Sequence, residues 1–182
     1  MRRLFLSGCL VLLLAALAGS AIAQTGYDLA NHLLLQTGQW LIEESRPLGQ
    51  SAPVQRVGIV VTKQGPYTMQ NEFDWNGKAW VPSSVQVYEV TATHVIYYGE
   101  YEPISGRYSV LAAPMRVPRY LKVHEPFTYK GAVITGSGTM PATIHIEVTA
   151  DKITKVVKAG TFTGCIRMKV TIVTNDTTEI SS

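Results

Sequence analysis

Apolar and polar residues alternate along most of this chain with a period of two, the pattern of a strand that buries one face and shows the other to water. Over residues 165–174, Ile166, Met168, Val170 and Ile172 fall on one side and Cys165, Arg167, Lys169 and Thr171 on the other. Residues 142–149 repeat the pattern with Ile144, Ile146 and Val148 inward, and residues 54–62 with Val57, Ile59 and Val61. Further strands are expected over 39–45, 85–91, 107–112 and 127–135. Val95-Ile96-Tyr97-Tyr98 is apolar on both faces and predicts a central strand. A helical period is confined to 29–35, where Ala30, Leu33 and Leu34 share a side, Asp28 is placed to cap the N-terminus and Gly38 to end the element.

The breaks between these segments carry turn chemistry. Gly65-Pro66, Gly136-Ser137-Gly138 and Asp151-Lys152 each predict a change of direction, and Gly160 and Gly164 bracket residues 161–163 as a connection. Pro114 and Pro118 demote residues 113–120 to an edge strand or extended loop, because proline cannot donate to a ladder. Asn76-Gly77 predicts a two-residue type I′ turn that sets Trp75 opposite Lys78 and Phe73 opposite Trp80. Phe73, Trp75 and Trp80 then share one face, as a cross-strand packing cluster or as an aromatic platform for a ligand. Turn signals recur every 8 to 12 residues or so, which predicts about eight to ten strands. The fold class expected is all-β and mostly antiparallel: a curved sheet with one short N-terminal helix.

Residues 1–23 read as a signal peptide, with Arg2 and Arg3 as a basic head, an apolar run over 10–17, and Ala21-Ile22-Ala23 as a cleavage site before Gln24. Leu6-Ser7-Gly8-Cys9 spells a rival lipoprotein box, but it precedes the apolar run that such a box should follow. Cleavage leaves residues 24–182 as a single β-rich domain. It lowers the basic count from 16 to 14 against 13 acids, so the near-neutral remainder gives no reason to expect nucleic acid. No other apolar stretch reaches membrane-spanning length. Cys165 is the one cysteine beyond the leader, which rules out an internal disulfide there. By strand parity its thiol belongs with Arg167 and Lys169 on the wetter face, where two cations would favour a reactive thiolate; the alternative is a bulge at Gly164 that shifts the register and buries it beneath the turn with Phe162.

The run Val157-Lys158-Ala159-Gly160-Thr161-Phe162-Thr163-Gly164-Cys165 resembles the V-x-A-G-T-F-x-x-C signature near the C-terminus of a family of secreted bacterial proteins of unknown function, themselves similar to the lipoprotein-carrier type of curved antiparallel sheet. Leu35-Gln36-Thr37-Gly38-Gln39-Trp40 is similar to that family's L-x-x-G-x-W opening. The segment from Leu121 to Tyr129 is similar to its mid-chain L-K-V-G-E-x-W-x-Y, with His124 where glycine is usual and Phe127 where tryptophan is. The resemblance implies a half-barrel whose concave face holds an apolar ligand or a peptide. It also implies one more aromatic hairpin after the signature than this chain has, and hence a C-terminally shortened sheet.

Sites for chemistry are sparse. His32, His94, His124 and His145 offer no local ligand pair, and no metal or cofactor is expected. His145 and Glu147 point to the same face of one strand, and the pairs Glu72 with Asp74 and Glu100 with Glu102 stand two apart beside turns, where acids also serve solvation alone. Gly136-Ser137-Gly138 lacks the remaining residues of a dinucleotide or nucleophile-elbow motif. The sequence therefore points to a secreted, periplasmic, non-catalytic module that binds a lipidic or peptidic ligand. The alternatives are an envelope hydrolase using surface carboxylates or His145 and Glu147, and a structural partner of another envelope protein that pairs through a sheet edge.

Overall fold

The computed structural model describes residues 26–33, 35–38, 40–45, 55–157, 160–174 and 178–181. The expected leader, Cys9, Leu34 and the 46–54 linker lie outside them. The chain opens with β1 (Tyr27–Asp28) and α1 (Leu29–His32), and continues with β2 (Trp40–Ser45), β3 (Gln55–Gln64), β4 (Tyr67–Trp75) and β5 (Trp80–Val90). Then come β6 (His94–Tyr101), β7 (Tyr108–Pro118), β8 (Tyr120–Leu121) and β9 (Phe127–Thr135). The last three are β10 (Gly138–Val157), β11 (Gly160–Thr174) and β12 (Thr178–Ser181).

Ten of these strands form one antiparallel sheet in the order β12-β11-β10-β9-β7-β6-β5-β4-β3-β2, a meander in which sequence neighbours are sheet neighbours. The exception is β8, which leaves the meander to pair with β1. Among the described residues no ladder joins β2 to β12, so the curved sheet is open, as the all-β reading expects. One face, here the inner face, carries the core. Ile144, Ile146, Val148, Ile166 and Met168 are all buried there, as the alternation predicts, and Val95 and Ile96 make β6 the interior strand that its two apolar faces predict.

α1 is a single turn that ends at His32, shorter than the helix expected over 29–35, and its Leu29 and Ala30 pack onto this inner face together with Leu33, the C-cap residue, and Leu35. One turn is too short to be stable alone, so its position depends on anchors. Asp28 caps it by accepting from the Ala30 amide at 3.0 Å, and the same carboxylate takes two charge-assisted bonds from Arg119, from Nε at 2.9 Å and from Nη2 at 2.8 Å. The Leu29 amide donates to the Arg119 carbonyl at 2.7 Å. Tyr27 adds a bond from its hydroxyl to Asp151 at 2.7 Å, tying β1 to β10. The helix is thus fastened to the segment after β7 by both backbone and side chain.

Several local expectations are corrected. The Asn76-Gly77 hairpin is a four-residue loop with Trp75 opposite Trp80 and Phe73 opposite Pro82. The Asn76 side chain stabilises it by accepting from the amides of Lys78 and Ala79, both at 3.0 Å, an Asx turn that competes successfully with the tighter type I′ geometry. Residues 161–163 belong to β11 rather than to a connection, since pairing already begins at Val157 with Gly160. Asp151 and Lys152 do not turn the chain but form an irregularity within β10, where Lys152 adopts φ +51°. The proline-bearing part of β7 is interior to the sheet order, yet its ladder to β9 covers only Ser109–Leu111. Tyr129 compensates in that gap, its hydroxyl donating to the Ala113 carbonyl at 2.8 Å.

Cys165 is the largest correction. It is 1% exposed rather than solvent-facing. The ladder to β10 is irregular on both sides of the Ile153–Cys165 pair, with Gly164 at φ +71° just before it, and Cys165 is buried within that irregular stretch. A buried cysteine behaves as a small apolar side chain.

Candidate ligand cavity and its acidic end

A cavity of about 130 Å³ lies between α1 and the inner face. Leu29 of α1 and Leu33 at its C-cap line it from one side, and Val95, Met115, Ile144 and Met168 of the sheet from the other. Its polar lining is confined to Gln86, Glu100, Ser109 and the hydroxyls of Tyr88 and Tyr97. Register explains why these polar groups occur together. Val61, Gln70, Gln86, Glu100, Ser109 and Thr135 are successive cross-strand partners from β3 to β9, and so form one transverse row on the inner face.

The polar row is organised around Gln86, itself buried. Its Nε2 donates to Glu72 Oε1 at 3.0 Å and its Oε1 accepts from the Tyr88 hydroxyl, while Ser84 Oγ donates to Glu72 Oε2 at 3.0 Å. Burial pushes the Glu72 carboxyl up to about 7, the Ser84 bond opposing and the charges of Glu100 and Asp74 adding to the rise. Burial, with the charge of Glu102 behind it, raises Glu100 as well. The fold therefore pairs the carboxylates differently from the sequence. Glu72 and Glu100 come from separate i, i+2 pairs and stand on either side of Gln86, one strand to each side of it.

Phe73, Trp75 and Trp80 do gather, and Trp40 of β2 joins them. The Trp75 and Trp80 rings are 5.3 Å apart, Trp40 meets Trp80 edge-on at 5.9 Å, and Phe73 lies 6.2 Å from Trp40. Glu72 faces inward, so Phe73 beside it faces outward, and the cluster lies on the face opposite the cavity. Gly58 runs beneath it, where a Cβ would approach Trp40 to 3.2 Å. The rings cross at tilted or perpendicular angles, the geometry of mutual packing, and fasten the edge strand β2 to β4 and β5.

His145 and Glu147 share an outward face but take separate partners: His145 Nδ1 contacts Thr128 Oγ1 at 2.9 Å, and Glu147 lies 3.5 Å from His124 Nδ1. Glu102 is tied in its turn to Arg107. Among the described residues no three His, Cys, Asp or Glu side chains converge as metal ligands would, and no helix is long and apolar enough to cross a membrane. No family model, curated protein or solved structure matches this chain. The Gln86 and Glu100 row escaped the sequence reading because its members are far apart in the chain. The signal available was the polar residues at inward positions of otherwise apolar strands.

Proposed function

We propose that this chain is a secreted, periplasmic, non-catalytic β-sheet module that holds a small apolar ligand, lipidic in kind, between α1 and the inner face of the sheet. The observation that supports it is the cavity of about 130 Å³ whose walls are aliphatic except at one end. A buried apolar cavity of about 150 Å³ can stay dry and take up benzene, so the enclosed part of the guest is a short aliphatic or aromatic group such as the end of an alkyl chain. Native mass spectrometry of protein purified from an envelope fraction is expected to show an adduct, and a Leu111→Phe variant, which fills part of the space, to lose it. Bare protein mass in both would overturn the reading.

A second reading has its own support. β2 is the outermost strand at its edge, and Trp40 and Ile42 on it are 49% and 50% exposed. An open edge of this kind is a template for strand addition by another envelope protein. Under this reading, Ile42→Lys abolishes co-purification of a partner while the ligand adduct persists; retention of the partner would reject it.

A further inference from the structure

We propose that the guest in the cavity carries a cationic, N–H-donating head, an alkylammonium in its simplest form, seated against Glu100 beside the Tyr97 hydroxyl, with the charge of Glu72 behind Gln86. This rests on the reading of the cavity as a ligand site and specifies the other half of the ligand.

Glu100 lines the cavity, and among the described residues its carboxylate accepts no hydrogen bond and faces no cation. The charged groups that bear on it and on Glu72 are each other, Asp74 and Glu102, all acidic. Arg107, the basic residue that follows Glu100 most closely in sequence, places both Nε and Nη2 on Glu102, at 2.9 and 2.7 Å. Gln86 lies between the two acids, but its amide nitrogen donates to Glu72 and its carbonyl accepts from Tyr88, and among the described residues it makes no bond to Glu100. Tyr97, partly buried, also lines the cavity, and its hydroxyl, desolvated there, has no hydrogen-bond partner among the described residues. A buried polar group left unpaired in a native protein calls for a missing partner.

The chemistry of that partner follows from what is already there. A carboxylate guest would meet two like charges. An alcohol could satisfy Tyr97 yet leave the acids without a countercharge. An ammonium brings one positive charge and three donors, enough to serve both cavity-lining groups, Glu100 and the Tyr97 oxygen. The apolar walls keep water from screening the pair. Cavity size sets the apolar part at about six carbons, the scale of benzene.

Calorimetric titration with hexylamine, 1-hexanol and hexanoate at about pH 8 tests this, since a lysine-like amine stays charged there. Hexylamine is expected to bind at least about tenfold tighter than hexanol, with hexanoate weakest. Glu100→Gln should bring hexylamine to the affinity of hexanol and leave hexanol unchanged, and Glu72→Gln should act in the same direction. Lowering the pH to about 5 should weaken hexylamine alone, as Glu72 and Glu100 take up protons while Tyr88 and Tyr97 stay neutral. Hexanol binding as tightly as hexylamine, with Glu100→Gln indifferent, would overturn the cationic head and leave the apolar cavity standing. Tightest binding by hexanoate would overturn the head equally. Binding by none of the three would remove the cavity reading and this inference with it.

Discussion

The Gln86 side-chain amide donates to Glu72 at 3.0 Å, so a buried glutamine is what holds a largely buried carboxylate in the sheet. A neutral donor stabilises the charged form only in part, and burial leaves the Glu72 carboxyl at about 7 against an ordinary value of 4.5. The folded state therefore holds this proton where the unfolded chain has released it. Stability from this group is fully present below the ordinary value and is lost as pH rises through about 7, by on the order of 3 kcal/mol. Glu100 contributes in the same direction. Urea unfolding of Glu72→Gln should show a flatter pH dependence between about pH 5 and 8 and a more stable protein at the upper end. An unchanged slope would mean that the carboxylate is better solvated than the sheet geometry implies.

Asp28 is both the N-cap of α1 and the partner of Arg119. Burial would raise its pKa, but the Arg119 bonds and charge, with the backbone amides, outweigh burial and hold it below the usual carboxylate range. Its contribution is therefore present above that range and lost as pH falls through the lowered value. Asp28→Ala removes the cap and leaves the partly buried Arg119 without its charge partner, at a cost of about 2–4 kcal/mol. Asp28→Asn keeps a capping oxygen and should cost less. Since α1 roofs the cavity, hydrogen exchange of the Leu33 amide, which bonds to the Leu29 carbonyl at 2.8 Å, should accelerate more in Asp28→Ala than in Asp28→Asn.

Gly99 occupies the irregularity between β6 and β7 at φ +141°, and a Cβ there would stand 2.4 Å from the Ser109 carbonyl oxygen. That atom is backbone in the neighbouring strand and cannot rotate away. Gly99→Ala should cost about 2–4 kcal/mol through strain and collision together. Because Glu100 follows directly, the variant should also weaken ligand uptake. Thermal melting at a normal midpoint would refute the constraint.

Cys165 at 1% exposure should resist a thiol reagent in the folded protein and react fully only in denaturant. Prompt labelling of native protein would mean that the bulge at Gly164 opens readily.

The sequence by itself determined most strands of the sheet, most of their inward residues and the cap that starts the helix, because those rest on a period of two and on side chains that act on their own backbone. Ile144, Ile146 and Val148 were legible for that reason, and so was Asp28. Tertiary structure decided whatever depends on register across strands. Cys165 is buried in the irregular stretch of the β10–β11 ladder, the Asn76 loop moved Trp80 from Phe73 to Trp75, and the span between β4 and β7 brought Glu72, Gln86, Glu100 and Ser109 to the inner face. Alternation assigns each residue to a side of its own strand, but a single inserted residue reverses that side, and which residue stands opposite which is settled only when the whole sheet has closed over its core.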